Sequence, residues 1–187
     1  MALPALKTTL DEFLVWENAQ ATRHEFWRGE TFAMVGARRV HGIIGLNIAT
    51  ALKHHLKGSG CRAFVEGMKV QVASDAIFYP DVFVTCDPQD LRTDMVFKQP
   101  KLVVEVLSES TQAYDRGLKF TAYRQLASLQ EYVLIDPDTR RVEVFRRNER
   151  QNFELIDQSG TAQLVLECVA FSLPMAEVFD GVEPEQV

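Results

Sequence analysis

The stretch that decides the reading is LVVEVLSESTQAYDRGLKF, residues 102–120. It begins with Leu102-Val103-Val104 and resumes with Val106-Leu107, a run dense enough in aliphatic side chains to be a strand buried on both faces. Glu105 interrupts that run. A carboxylate there either faces an edge and is solvated, or it is a site group that needs a cation, donors or a metal, because an unpaired buried charge is expensive. Ser108, Ser110 and Thr111 suit a turn and a helix cap. The helix that follows is expected over about Gln112 to Leu129. At roughly 100° per residue its apolar arc runs through Tyr114, Leu118, Ala122, Leu126 and Leu129, and Asp115 and Lys119 fall inside that arc. The pair is either an ordinary i,i+4 contact or a lysine aimed at the sheet and held by Asp115. In the second case Lys119 would support developing phosphate charge or position an attacking water.

Upstream, Tyr79-Pro80-Asp81 leads into the buried-looking strand Val82-Phe83-Val84. Asp81 either caps a turn or meets Glu105 across neighbouring strands, where two hard carboxylates would bind Mg²⁺ or Mn²⁺. Neither acid sits in an extended histidine or cysteine cluster, which argues against zinc. Further out, Arg39 to Leu56 reads as a helix through Val40, Ile44, Ile48, Ala51 and Leu52, ended by Gly58-Ser59-Gly60. His41 and His55 lie on its apolar side as packed residues, with His41 the better placed for a site role. His24 to Met34 reads as two short strands around Gly29. Its Glu25 is either a surface acid or an extension of the site.

Thr9 to Ala19 should be a first helix with Thr9 and Glu12 as a capping box. Cys61–Glu66 and Met68–Ala73 are strands either side of Gly67. Past the central helix, Glu131–Ile135 should pair with Arg141 to Arg147, with Phe153–Ile156 and Gln163–Leu166 as outer antiparallel strands. A helical turn is expected over Leu173 to Phe179, before a fraying acidic tail. The sum is one mixed α/β domain over residues 1–187.

Composition narrows the function classes. Hydrophobic residues make up 47% and charged residues 25%, which excludes a disordered or coiled-coil chain. The net charge of -6 argues against casual nucleic-acid binding. Arg38-Arg39, Arg140-Arg141 and Arg146-Arg147 could still build a local basic groove. Cys61, Cys86 and Cys168 form no paired framework, so a reducing, cytoplasmic setting is expected. The N-terminal residues lack a signal-length apolar run, and no stretch is long enough for a membrane span. Phosphate-binding loops of the Walker type, G-x-G-x-x-G turns and G-x-S-x-G elbows are absent from the sequence, so no organic cofactor is expected.

Taken together, HEFWRGE (24–30), YPDVFV (79–84) and residues 102–120 resemble the bacterial Uma-type group of restriction endonucleases, within the PD-(D/E)xK nuclease superfamily. The resemblance extends over nearly the whole chain, through YVLIDPDTRRVEVFR (132–146) to LPMAEVF (173–179). It implies a restriction-endonuclease-like core: a central mixed β-sheet flanked by helices, with an additional antiparallel hairpin region. It implies Asp81 and Glu105 as metal ligands on adjacent strands, with the Val106 carbonyl as a further ligand. The superfamily lysine usually stands two residues after the second acid, where this chain has Leu107. The Uma-type group moves it to the next helix, which matches Lys119. Glu25 matches an acid near the family start, and His41 a histidine at the start of the second helix. Glu109 stands where the family more often has proline. The implied activity is Mg²⁺-dependent hydrolysis of DNA phosphodiester bonds, with Mn²⁺ able to substitute and a 5′ phosphate left behind, carried out by a homodimer. The competing reading is a non-catalytic or metal-binding module of the same fold that acts through self-association or a protein partner. The pI near 5.3 favours it.

Overall fold

A computed structural model describes residues 8–34 and 36–183 of the chain. The N-terminal residues and most of the acidic tail discussed above lie outside the described residues. Helix α1 (Leu10–Glu17) starts on the expected capping box, with Thr9 and Glu12 exchanging side chain-to-amide hydrogen bonds. Strands β1 (His24–Trp27) and β2 (Glu30–Ala33) form a hairpin through Arg28-Gly29, whose φ angles of 50° and 88° fit a two-residue primed turn. Helix α2 (Arg39–His55) buries Ile44, Ile48 and Leu52.

The chain then forms β3 (Arg62–Val65), β4 (Lys69–Ala73), β5 (Ala76–Phe78), β6 (Val82–Thr85), β7 (Val96–Phe97) and β8 (Pro100–Val106). A helical run follows as α3 (Gln112–Tyr114), a π-helical turn (Asp115–Lys119) and α4 (Phe120–Tyr123). Strands β9 (Glu131–Asp136), β10 (Arg141–Arg147), β11 (Phe153–Asp157), β12 (Gln163–Leu166) and β13 (Phe171–Pro174) and helix α5 (Met175–Val178) complete it.

The six-stranded sheet has the order β11-β10-β9-β8-β6-β3, and only β8 and β9 run parallel. Parallel neighbours need a crossover, and the helical run supplies it. Both faces of this sheet are covered. Val82, Val84, Leu102, Val104 and Val106 point to one face, where α2, the β12–β13 hairpin and α5 pack. Phe83, Val103, Leu107, Tyr132 and Leu134 point to the other, against β4, β5 and the helical run. Double coverage explains why β8 reads as an almost continuous apolar run. A second sheet, ordered β2-β1-β5-β4-β7, carries the N-terminal hairpin. The fold is thus a restriction-endonuclease-like mixed α/β architecture with an additional antiparallel hairpin, as expected.

Four local expectations need correction. Strands β5 and β7 were not foreseen, being short segments beside turns, and β3 and β4 belong to different sheets although only a few residues separate them. The central helix ends at Tyr123 rather than Leu129. Its apolar period continues because Leu129 is still buried, while the Arg147 guanidinium takes over the freed carbonyls of Arg124, Leu126 and Leu129. Leu173 and Pro174 belong to β13, so the last helical turn begins only at Met175.

The cysteines need the fourth correction: Cys61 and Cys86 form a disulfide, and Cys168 is free. The β3–β6 register pairs Arg62 with Thr85, which sets Cys61 opposite Cys86 just beyond the strand ends. Spacing along the sequence carries no trace of that non-local pairing, and the cysteine argument for a reducing compartment falls with it. Among the described residues, no helix is long and apolar enough to cross a membrane. Unfolded, unreduced protein is expected to give one thiol by Ellman titration, from Cys168, and three after reduction. Three thiols without reductant would remove the disulfide.

Candidate active site

The antiparallel register pairs Val82 with Val104 and so carries Asp81 to the position opposite Glu105. Glu105 shares the Val103–Leu107 face of β8, which the helical run covers, and it is 2% exposed. Asp81 lies at the strand mouth, where its Oδ2 accepts a 2.7 Å hydrogen bond from the Val106 amide. In extended backbone a residue's N–H and C=O leave the strand on the same side, so the Val106 carbonyl faces the Asp81 side as well. The other Asp81 oxygen, Oδ1, lies 2.8 Å from Nε2 of His41 in the first turn of α2. A carboxylate only accepts, so the imidazole donates.

Lys119 is buried, and its ammonium stands 3.0 Å from Glu25 Oε1, 3.2 Å from Glu105 Oε1 and 3.2 Å from Asp115 Oδ1. Glu25 reaches this cage because β1 pairs with β5, and its Oε1 also accepts from the Tyr79 amide at 3.0 Å. The π turn brings both Asp115 and Lys119 to the sheet side. It is stitched by the Phe120 amide donating to the Asp115 carbonyl, which also accepts from the Tyr132 hydroxyl at 3.0 Å. Leu107, in the place of the usual superfamily lysine, is buried in the apolar cluster on this face.

The structure therefore brings Glu25, Glu105, Asp115 and Lys119 into direct contact, and sets Asp81, His41 and the Val106 backbone beside them. Glu66, at the end of β3, also belongs to this neighbourhood: donor atoms of His41, Glu66 and Asp81 lie within 4.8 Å of one another. The sequence reading had kept His41 as a supporting residue but had not singled out Glu66. The approach of the α2 start to the β6 mouth is tertiary. Its one local signal is Glu66-Gly67, an acid before a glycine with φ of 90°. His55 is elsewhere, bonded to the Val169 carbonyl.

The electrostatics follow from three buried carboxylates around one ammonium. Burial pushes Glu105 well above the ordinary carboxylate range, and the pull of Lys119 does not cancel it. Burial raises Glu25 too, against Lys119 and the Tyr79 amide. Burial opposes the Lys119 charge, but Glu105, Glu25 and Asp115 outweigh it and hold the ammonium well above its usual range. For His41 burial is likewise overcome, by Asp81, and its protonated form is favoured. The arginine pairs noted in the sequence are largely engaged within the chain: Arg38 with Asp138, Arg141 with Glu143, and Arg146 with Glu131 and Glu167.

A two-sided mixed sheet with acids on adjoining strands and a lysine from the crossover helix defines a nuclease-type restriction-endonuclease fold. A crystal structure described as that of a "putative nuclease" of the DUF820 group from Anabaena variabilis superposes with a TM-score of 0.78, covering 94% of this chain and 99% of that one. At 22% identity, that likeness speaks for the fold alone. The chain belongs to the Uma2 family, described as "Putative restriction endonuclease", whose pattern matches residues 10–176. Two uncharacterized Synechocystis sp. proteins are similar to it. One is 32% identical over 96% of this chain and 95% of its own length, the other 33% identical over 81% and 88%.

The cage predicts a pH dependence. A carboxylate whose folded pKa is raised contributes stability below its unfolded pKa and loses it as pH rises through the folded value. Unfolding free energy without divalent ions should therefore include a component that falls as pH rises from the ordinary carboxylate value of 4.5. Glu105→Gln should remove part of that component. Urea titrations across this range test it, and equal pH profiles for the two proteins would mean that Glu105 stays ionised.

Proposed function

We propose that the chain is a metal-dependent DNA endonuclease that hydrolyses phosphodiester bonds at the Asp81–Glu105 site. The observation that carries this reading is the pair of acids set opposite each other across β6 and β8, one of them against the buried Lys119 ammonium. The family description and the nuclease-type fold support it. The donor chemistry fits a hard divalent cation: two carboxylates and a carbonyl on one side of adjoining strands are oxygen ligands of the kind Mg²⁺ takes, with Mn²⁺ able to replace it. Asp81, Glu105 and the Val106 carbonyl would hold the ion. When bound, it would polarise the phosphate and lower the pKa of a coordinated water.

The chain's own groups do the rest. The Val106 amide fixes Asp81, leaving that carboxylate one orientation towards the site. Glu25, Glu105 and Asp115 hold Lys119 protonated, so its ammonium would face the added negative charge of the transition state. Glu25 would orient the attacking water. Leaving-group departure on the 3′ side would leave a 5′ phosphate. We further propose that two copies act together on duplex DNA, each offering one site.

Asp81→Ala, Glu105→Ala and Lys119→Met are each expected to reduce Mg²⁺- or Mn²⁺-dependent cleavage of DNA by at least about 100-fold. The assay belongs at low ionic strength, because affinity from an acidic protein will weaken steeply with salt. Undiminished cleavage by folded Glu105→Ala would place the chemistry elsewhere. Sedimentation equilibrium should show a dimer, and a 21.2 kDa species over a wide concentration range would exclude the paired arrangement. The engagement of Arg38, Arg141 and Arg146 with internal acids favours the second reading, a non-catalytic module. Inactivity of the wild type with both metals on single- and double-stranded DNA would select it.

A further inference from the structure

Asp81 has neighbours on two sides, and only one belongs to the arrangement above. Towards β8 it meets Val106 and Glu105. Towards α2 it meets His41 and Glu66. The second set comes from three separate elements: the first turn of α2, the end of β3 and the mouth of β6. One donor atom from each lies within 4.8 Å of the other two. For metal–ligand bonds of about 2.0–2.2 Å, three donors around one ion stand roughly 3–4.4 Å apart, so donors grouped within 4.8 Å need only small side-chain movements to close on one ion.

The set is also held in place. The Glu66 amide donates to the Asp81 carbonyl at 3.1 Å, which locks these two residues side by side. The close turn after Glu66 favours glycine, because position 67 has a φ of 90° that other residues rarely adopt. Asp81 is fixed from behind by the Val106 amide. The His41 ring is under-satisfied: Nε2 meets Asp81, while Nδ1 is buried with no hydrogen-bond partner. The nitrogen that faces Asp81 is Nε2, and a cation shared with that carboxylate would replace its proton.

We propose that His41, Glu66 and Asp81 form a second divalent-cation position on the α2 side of Asp81, which takes a first-row transition ion such as Mn²⁺ through one imidazole nitrogen and two carboxylate oxygens. It rests on the reading of Asp81 as a ligand but not on Glu105 or on cleavage. The oxygen-only position beside Glu105 suits Mg²⁺, whereas imidazole shifts preference towards the transition series. Asp81, with an oxygen on each side, would be shared, as carboxylates are in sites holding two ions about 3.5–4 Å apart.

Pulsed EPR of the full chain titrated with MnCl₂ tests this directly, because a bound imidazole gives the Mn²⁺ signal a ¹⁴N coupling that oxygen ligands do not. The wild type is expected to show that coupling. His41→Gln should lose it, and Glu66→Gln, a change at an exposed position, should weaken the nitrogen-coupled ion at least about tenfold. Glu105→Gln should retain it. A wild-type signal without nitrogen coupling, or unchanged Mn²⁺ affinity in folded Glu66→Gln, overturns the proposal. Loss of the coupled signal in Glu105→Gln overturns it too, by showing one position rather than two. Nitrogen coupling in a wild type that cuts no DNA would leave this site standing and remove the nuclease reading instead.

Discussion

One buried ammonium governs the architecture around it. Lys119 is 6% exposed and contacts carboxylates from β1, β8 and its own π turn, so three parts of the chain converge on a single charge. Removing it would leave Glu25, Glu105 and Asp115 buried without a cation, which for a broken buried pair costs about 3–5 kcal/mol. The π turn follows from this requirement. It sets Asp115 and Lys119 on the sheet side, and the Asp115 carbonyl within it accepts a second hydrogen bond from Tyr132 of β9. Tyr132 in turn stacks on Phe120 just past the turn, so the irregular backbone is braced by both a hydrogen bond and an aromatic contact.

The same charge explains why register matters so much at β8. Val104 and Val106 pack with α2, while Val103, Glu105 and Leu107 turn towards the helical run. A slip of one residue would send Glu105 into the aliphatic layer beneath α2 and leave Lys119 short of a partner. Double burial makes β8 featureless by hydropathy, and the ion pair gives it a distinct face. The Asp81 contact with the Val106 amide adds a second register mark on the antiparallel side, since that amide lies beyond Val104, the last β8 residue paired with β6.

Much of this was legible in the sequence where a local rule and a long-range requirement agreed. Glu105 stood out because it broke an aliphatic strand, and Lys119 because it fell inside an apolar arc. Both signals come from charges placed where hydropathy alone would put none. The arc itself was drawn with α-helical spacing over 18 residues, whereas the helix is shorter and contains five π-helical residues. Lys119 nonetheless faces the sheet, because a π turn also brings residues four apart to nearly the same face. Glu66 and the Cys61–Cys86 bond were invisible for one common reason. Each depends on β3 lying antiparallel beside β6, and nothing in either segment specifies its partner. Arg147 was illegible for a related cause, since an arginine on a hairpin gives no hint that it caps a helix end more than twenty residues away.

An excess of negative charge gathers at this end of the sheet. Glu25, Glu105 and Asp115 share one ammonium, and among the described residues Asp81 pairs with the imidazole of His41. In a low-dielectric setting such an imbalance has two outlets: protons, which the raised pKa values of Glu25 and Glu105 already favour, or additional cations. Protons and divalent ions therefore compete for the same oxygens, and a divalent ion gains most where two carboxylates share it and neither needs Lys119 exclusively. Asp81 meets that condition best, because among the described residues its carboxylate is fixed by an amide and an imidazole rather than by Lys119. On the proposed reading, the protein's overall acidity would be no obstacle to phosphate chemistry. The positive charge that meets the phosphate would arrive with the metal and Lys119 rather than with a basic surface.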